Sequence, residues 1–274
     1  MRLPVAEGMT KAELKYWEVP KNCAGVLVLC PGWNGDGGHW IKNAGWREFA
    51  RKHNFALVGL SFVSPDGHEA EPMAYHHAEK GSGKLLFEGL EKIMGGGSGV
   101  GKTGAEGGAE KSAAGRDGRM APPPVILFGF SRGGQFAMSV AEHFPDKVRA
   151  WGATGAAGVP PEKKILEGVA DAKMAPPGVV ICGLDDSNAG AATENFLARL
   201  RLRRRVCWLG VPGVEHAVNA RAEVWTRAFF DAVLANPVDA KGIWVEGEFG
   251  RGLDGFLLRV WFPDENTKKT WDVF

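Results

Sequence analysis

The chain has 274 residues, of which 45% are hydrophobic and 24% are charged, and its formal net charge at pH 7 is +1. This length suits one large α/β domain, and the apolar fraction is sufficient for a sizeable core. A near-neutral chain has no overall electrostatic field to recruit nucleic acid or an anionic membrane, so we expect neither as a partner. No apolar run has the length of a membrane span or of a signal peptide core, which predicts a cytoplasmic protein, or a secreted one if a signal was removed.

Hydrophobic periodicity predicts an alternation of strands and helices along most of the chain. Short apolar runs bounded by glycine, proline or polar residues indicate buried strands, and apolar residues at helical spacing indicate helices. Such an alternation is typical of an α/β fold with a mostly parallel sheet covered by helices on both faces, which we predict over residues 1–236. In chain order, the predicted elements are strands over 12–19 and 26–30, a helix over 40–53, a strand over 55–62, a helix near 83–94, a strand over 125–130, a helix over 135–143, a strand over 148–154, a short helix over 162–170, a strand over 179–184, a helix over 191–202, a strand over 206–211 and a helix over 220–236.

Residues 95–123 interrupt this alternation. They are rich in glycine, alanine, lysine and glutamate and have too few apolar side chains to form a core, which predicts a flexible insertion. Within it, residues 96–103 match the phosphate-binding P-loop pattern. A P-loop needs a buried strand before it and a helix after it, whereas here a helix precedes it and glycine-rich sequence follows. We therefore interpret the match as accidental and keep a nucleotide-binding role only as an alternative.

Residues 237–274 follow the last predicted helix. Two apolar runs, over 243–249 and 256–262, are separated by a glycine-rich turn and predict an appended β-hairpin. The extension contains Trp244, Trp261 and Trp271. It could cover an edge of the sheet or pair with a second copy of the chain, and the sequence leaves both arrangements open.

The most informative motif is Gly-Phe-Ser-Arg-Gly-Gly over residues 129–134. Glycine fills 39 of 274 positions, so a bare Gly-x-Ser-x-Gly pattern gains weight only from its context. Here an apolar strand precedes it, and the predicted helix after it has Phe136, Val140 and Phe144 at helical spacing. A sharp strand-to-helix turn of this kind, a nucleophile elbow, lifts the serine oxygen above the sheet, and its glycines remove Cβ atoms that would collide there. The motif predicts Ser131 as a nucleophile.

A serine hydroxyl needs an imidazole to take its proton and a carboxylate to orient that imidazole. His216 follows the last predicted strand, and Asp185 and Asp186 follow the strand before it. Open α/β sheets assemble their sites at the carboxyl ends of strands, and the chain order serine, aspartate, histidine fits an elbow completed by later strands. We predict His216 as the base. We prefer Asp186 to Asp185 as the acid because it ends a Gly-x-x-Asp turn, and a helix-capping role is the structural alternative.

Acyl transfer also needs two N–H donors aimed at the developing oxyanion. The backbone amide of Arg132, which follows the serine, is the first candidate. The glycine-rich loop over 31–38 should provide the second, for which we choose Trp33.

Aromatic side chains near the mouth of this site are candidates for substrate contact. We predict contact through Trp33 and Tyr75, whereas Trp40 could line the pocket or belong to the core. The loop over residues 64–82, which we call the specificity loop, should shape specificity and not catalysis, and metal binding there is the less favoured alternative. Besides Tyr75 it contains His68, His76 and His77.

With these motifs in order, residues 12–236 resemble the α/β-hydrolase superfamily. Gly-Phe-Ser-Arg-Gly-Gly and the lack of a long insertion after Thr154 are most similar to lidless dienelactone-hydrolase-like and polyhydroxybutyrate-depolymerase-like esterases. The resemblance implies cleavage of a small-molecule carboxylic ester with no metal and no cofactor. It implies Ser131, Asp186 and His216 as the triad and Trp33 and Arg132 as the oxyanion hole.

The chain departs from these relatives in three ways. Pro31-Gly32 stands where many have His-Gly, the opening strands are reduced, and serine replaces the cysteine nucleophile of true dienelactone hydrolases. Two other functions share these motifs. One is a prolyl-oligopeptidase-like peptidase, although its large gating domain has no room here, and the other is a non-catalytic binding protein that retains the fold.

Overall fold

A computed structural model describes residues 1–66, 73–95, 123–158, 175–236, 241–248 and 257–271. Three sequence predictions lie outside these ranges: most of the insertion at 95–123 with its P-loop-like residues 96–103, the short helix at 162–170, and the part of the specificity loop that contains His68.

The described residues form nine strands and seven α-helices. The strands are β1 Lys11–Tyr16, β2 Gly25–Cys30, β3 Phe55–Val63, β4 Val125–Phe130, β5 Val148–Thr154, β6 Gly178–Gly183, β7 Val206–Val211, β8 Ile243–Glu248 and β9 Leu257–Phe262. The helices are α1 Gly37–Trp40, α2 Ala44–Lys52, α3 Ser82–Gly95, α4 Arg132–His143, α5 Ala189–Arg201, α6 Ala220–Ala235 and α7 Glu265–Trp271, with a 3₁₀ turn at Ala78–Lys80.

Seven of the strands form one sheet in the order β1-β3-β2-β4-β5-β6-β7. Strand β1 runs antiparallel to β3, and the other neighbouring pairs are parallel. Every residue of β2 and β6 is buried, as expected for parallel strands covered on both faces. The mostly parallel α/β architecture predicted from the sequence is confirmed. The carboxyl ends of the parallel strands, which precede the predicted site residues, lie along one edge.

Helices cover both faces of this sheet. On one face, the ring of Trp46 in α2 lies 4.7 Å from that of Phe128 in β4 and 6.2 Å from that of Phe230 in α6. The Trp46 indole N–H donates to Glu223 at 2.7 Å, so its polar atom is satisfied within the core. On the other face, Phe136 of α4 packs on Phe62 of β3 with 5.9 Å between ring centroids.

Two helices begin three or more residues away from their predicted starts. The helix predicted over 40–53 is interrupted near its start: α1 ends at Trp40 and α2 begins at Ala44, because the Asn43 side chain accepts a hydrogen bond from the Trp46 amide at 3.2 Å and caps a new helix. Helix α4 begins at Arg132, three residues earlier than predicted, and so includes Gly133 and Gly134 in its first turn. Glycine lowers helix propensity, which hides this turn from a periodicity argument.

Strands β8 and β9 pair antiparallel in a separate two-stranded sheet. Strand β9 lies against the edge strand β7, where the Cys207 thiol donates to the Trp261 carbonyl. The Trp261 ring lies 6.3 Å from Phe229 of α6, and Val260, Trp261 and Phe262 are buried. This part of the extension therefore packs on the core of its own chain, and pairing with a second copy stays a prediction.

The four cysteines are free thiols, and all except Cys23 are buried. Among the helices that the structure describes, none combines the length and the hydropathy needed to cross a bilayer.

Glu142 of α4 and Arg199 of α5 form a buried ion pair. Arg199 Nε lies 3.2 Å from Glu142 Oε1, and the two side chains are 1% and 9% exposed. The same guanidinium donates to the Asn195 carbonyl oxygen at 3.1 Å. The pair joins two helices on the same face of the sheet.

Removing one partner of this pair should be strongly destabilising, because the other charge stays buried. We expect Glu142→Leu to lower the free energy of unfolding by about 3 to 5 kcal/mol in urea titrations. The matched control is Glu88→Leu, since Glu88 pairs with Lys84 on an exposed helix surface. This control should change stability by less than about 0.5 kcal/mol, and equal losses in the two variants would contradict the prediction.

Candidate active site

The nucleophile candidate Ser131 occupies the turn between β4 and α4. Its backbone has a φ of 53°, which is uncommon for a residue other than glycine. The Ser131 amide donates to the Thr154 carbonyl at 2.8 Å, and the Gln135 amide donates to the Ser131 carbonyl at 3.1 Å. Strand β5 and the first turn of α4 therefore hold the turn in this conformation.

Gly129 and Gly133 let the helix begin directly against the sheet. A Cβ atom at Gly129 would lie 2.1 Å from the Gly133 carbonyl oxygen, and one at Gly133 would lie 2.1 Å from the Cys30 carbonyl oxygen. Neither position has room for a side chain without a backbone shift. The role predicted for these two glycines, removal of colliding Cβ atoms, agrees with this geometry.

The structure brings Ser131, His216 and Asp186 together at the carboxyl ends of β4, β7 and β6. His216 Nε2 lies 3.1 Å from Ser131 Oγ, and His216 Nδ1 lies 2.8 Å from Asp186 Oδ2. An ionised carboxylate accepts a proton donor, so we assign the hydrogen to Nδ1, which leaves Nε2 free to accept from the serine hydroxyl. The arrangement can move a proton away from Ser131.

The two neighbouring aspartates occupy different environments. The side chain of Asp186 is 1% exposed, and its second oxygen accepts from the Asn188 amide at 2.8 Å. Asp185 is exposed to solvent. The geometry therefore favours Asp186 as the partner of His216, the alternative preferred from the sequence.

Sequence reasoning missed two residues that contact His216. The ring of Phe130 packs 4.7 Å from the imidazole, and the Asn188 side-chain amide lies 3.2 Å from Nδ1. Phe130 is part of the motif itself, directly before the serine. Asn188 is the N-cap of α5, a role that its residue type could have suggested.

The predicted oxyanion loop follows β2 and lies beside the serine turn. A Cβ atom at Gly32 would lie 3.5 Å from Ser131 Cβ, which shows how closely the two segments approach. Asn34 has a φ of 53°, and its side chain accepts from the Ser64 amide and donates to the Ser64 carbonyl, both at 3.0 Å. Trp33 lies between Gly32 and Asn34 and is half-buried.

Arg132 is the first residue of α4. The first four amides of an α-helix have no acceptor within the helix, and the helix dipole adds positive potential at this end. The backbone N–H of Arg132 is therefore one of the amides that can donate a hydrogen bond to an anionic oxygen beside Ser131.

Tyr75 packs against the predicted oxyanion loop. It is 2% exposed, its ring stacks on Trp33 with 5.8 Å between centroids, and its hydroxyl donates to the Gly32 carbonyl at 3.3 Å. Burial raises the pKa of this phenol above its usual value. Contact of Tyr75 with a substrate would thus be indirect, through Trp33.

His76 follows Tyr75 and is also buried. Burial, followed by the charges of His77 and Arg132, lowers the pKa of His76 to about 3, so this imidazole is neutral near pH 7. Within the part of the chain that the structure describes, no three His, Cys, Asp or Glu side chains are grouped so that they could hold a metal ion.

A cleft of about 510 Å³ opens beside the loop that carries His216. Trp40, which the sequence left between substrate pocket and core, packs 6.2 Å from Phe128 and also lines this cleft. The residues that line the cleft are His39, Trp40, Lys42, Asn43, Trp46, Val218, Ala220 and Glu223.

No protein-family model and no curated protein matches the sequence. Solved structures do match. An esterase named PE8 is 17% identical over 82% of this chain and 100% of its own, with a TM-score of 0.58. A phospholipase/carboxylesterase from Dyadobacter fermentans is 12% identical over 84% and 100%, with a TM-score of 0.55.

A third match is LpqC, a poly(3-hydroxybutyrate) depolymerase from Bordetella parapertussis. It is 14% identical over 82% of this chain and 84% of its own, with a TM-score of 0.51. Matches at this level of identity establish a shared fold, and the activity has to be argued from the site. Together with the sheet order and the strand directions, they show that the chain has the α/β-hydrolase fold.

Proposed function

We propose that the protein is a serine hydrolase that cleaves small-molecule carboxylic esters. The observation that carries the proposal is the continuous chain of contacts from Asp186 through His216 to Ser131, with distances of 2.8 and 3.1 Å. The structural matches named as esterases and as a depolymerase support an ester hydrolase. Their low identity leaves the substrate to be argued from the pocket.

Acylation begins when Ser131 Oγ attacks the ester carbonyl carbon. His216 Nε2 takes the serine proton, and the Asp186 carboxylate stabilises the resulting imidazolium. The carbonyl oxygen becomes an oxyanion that accepts from the backbone amides of Arg132 and Trp33, and each such donor is worth about 3 to 4 kcal/mol of barrier lowering.

The tetrahedral intermediate then collapses. His216 returns its proton to the leaving alcohol oxygen, the C–O bond breaks, and the acyl group stays on Ser131. Water enters next to the imidazole, whose side chain is 38% exposed, loses a proton to Nε2 and attacks the acyl carbon. Expulsion of Ser131 Oγ, which takes that proton back, releases the carboxylic acid. No metal or cofactor takes part in the proposed reaction.

The leaving alcohol must lie on the His216 side of the site, because His216 protonates its oxygen. The cleft lined by Trp40 and Val218 reaches the segment that carries the proposed base, because Val218 is two residues beyond His216. We assign the cleft to the alcohol half of the ester. The Trp40 indole provides a flat apolar wall there, and Trp33 contacts substrate at the oxyanion side.

A fluorophosphonate probe should label the wild-type protein at Ser131. Ser131→Ala should lose the label and reduce kcat for short p-nitrophenyl esters by about 10⁶-fold. The matched control is Ser139→Ala, because Ser139 lies on helix α4, which follows Ser131, and its hydroxyl accepts from the Ala78 amide. It should be labelled and should hydrolyse esters as wild type does.

Three results would contradict this assignment. Persistent hydrolysis by Ser131→Ala would exclude the serine as nucleophile. An unlabelled wild-type protein would indicate a non-catalytic binding protein. Faster cleavage of peptide amides than of simple esters would indicate a peptidase.

The two aspartates provide a second matched pair. We expect Asp186→Asn to lower kcat by about 10⁴-fold, because the amide cannot stabilise the imidazolium and favours the wrong His216 tautomer. Asp185→Asn should stay within about twofold of wild type, since it alters a surface side chain. Steady-state kinetics on one ester would measure both, and the reverse order of effects would transfer the role to Asp185.

Assignment of the cleft to the alcohol can be tested with Trp40→Ala. We expect kcat/KM to fall about tenfold for esters of bulky aromatic alcohols, because the ring loses its stacking surface. Methyl esters of the same acid should change by less than about twofold. A panel in which acyl length and alcohol bulk vary independently would measure this, and a selective loss for bulky acyl groups would assign the cleft to the acyl half.

A further inference from the structure

The side chain of Arg132 contacts three separate segments around the site. Its Nη1 donates to Gln135 Oε1 at 3.0 Å and lies 3.2 Å from His76 Nε2. Its guanidinium carbon lies 5.6 Å from the centre of the Trp33 ring. Three segments therefore meet at this side chain. They are helix α4, the part of the specificity loop that contains His76, and the predicted oxyanion loop.

The orientation of these partners is fixed by their other contacts. The Gln135 side-chain N–H donates to the Ala157 carbonyl, which turns its oxygen toward Arg132. His76 is neutral near pH 7 because burial lowers its pKa, so Nε2 can accept a hydrogen bond from the guanidinium. The guanidinium is thus a donor to two acceptors on different segments.

Trp33 is held from several directions. Its indole N–H donates to Asp66 Oδ1 at 2.7 Å, and its ring stacks on Tyr75. The edge of His76 lies against it, with 6.3 Å between ring centroids. Arg132 contributes a cation–π contact, which is strongest when the cation is partly withdrawn from water.

We infer that the Arg132 side chain is a positioning residue for the oxyanion hole, and this inference rests on the proposed function. The two residues whose backbone amides are proposed to bind the oxyanion, Trp33 and Arg132, also contact each other through their side chains. This contact fixes the separation of the two amides. Its loss lets the oxyanion loop move relative to the elbow and weakens binding of the transition state more than binding of the ester.

A planar guanidinium can stack on an indole and donate to two acceptors at once, whereas an ammonium group acts as a point charge. Substitution by lysine therefore separates position from charge. If geometry matters, Arg132→Lys should behave like Arg132→Met. If charge alone matters, Arg132→Lys should keep wild-type activity.

The experiment compares Arg132→Lys and Arg132→Met with a matched control, Arg51→Met. Arg51 also lies over an indole ring, 4.5 Å from the centroid of Trp17, on helix α2. For each protein we would measure kcat and KM for a p-nitrophenyl ester and the Ki of a trifluoromethyl ketone, which forms an oxyanion adduct with the serine. Thermal unfolding would establish that each variant is folded.

Both Arg132 variants should lose about 10- to 100-fold in kcat, part of the loss expected when a whole oxyanion donor is removed. KM should change by less than about twofold, and Ki should rise in proportion to the loss in kcat. Arg51→Met should match wild type in all three constants. Wild-type kcat in Arg132→Lys, or a loss that appears only in KM, would overturn the inference.

If Arg132→Met does not fold, a variant of Trp33, the partner of Arg132 in this contact, provides the test. Trp33→Leu keeps the backbone amide but removes the ring, and we expect the same loss in kcat together with a rise in KM from the lost substrate contact. Wild-type kcat in Trp33→Leu would also overturn the inference. Failure of the proposed function itself is distinguishable, because the wild-type protein would then not react with the fluorophosphonate.

Discussion

The approach of helix α4 to the end of strand β2, without space for a side chain at Gly129 or Gly133, is the constraint on which the rest of the site depends. It places Ser131 at the carboxyl edge of the sheet and brings the glycine-rich loop over 31–38 against the same turn. At Gly133 the obstructing atoms are the backbone carbonyls of Cys30 and Pro31, so a side chain there could be accommodated only by moving this loop. The positions of Ser131 and of the loop beside it therefore depend on each other.

The residues that follow β6 and β7 complete the site, and their side chains are buried to different extents. The Asp186 carboxylate is withdrawn from water, whereas the His216 imidazole is open to it, with side-chain exposures of 1% and 38%. Burial strengthens the contact between the carboxylate and the imidazole because the local dielectric is low, and exposure gives the imidazole access to water. Phe130 packs on the imidazole and limits its rotation. Nδ1 of His216 is therefore held by the buried Asp186 carboxylate, and Nε2 faces Ser131.

Much of the fold could be predicted because buried parallel strands are unbroken apolar runs; the predicted bounds of β5 and β7 match the structure. The division of the helix at Asn43 could not, since a local capping bond overrode the periodicity. Within the site, the chain order and the positions of the strand ends predicted His216 and Asp186 as partners of Ser131, and the structure brings these three residues together. Contacts such as that of Asn188 with His216, or of Tyr75 with Trp33, join distant segments, and no spacing rule encodes them.

Ser131 stands in a backbone conformation that side chains rarely adopt, with a φ of 53°. Such a conformation costs about 1 to 3 kcal/mol in a residue with a Cβ atom, whereas glycine adopts it freely. A chain optimised for folding alone would therefore carry glycine at position 131, as it does at the neighbouring positions 129 and 133. Serine at this position therefore costs folding stability through its Cβ atom, a cost that the proposed role of Ser131 as nucleophile accounts for.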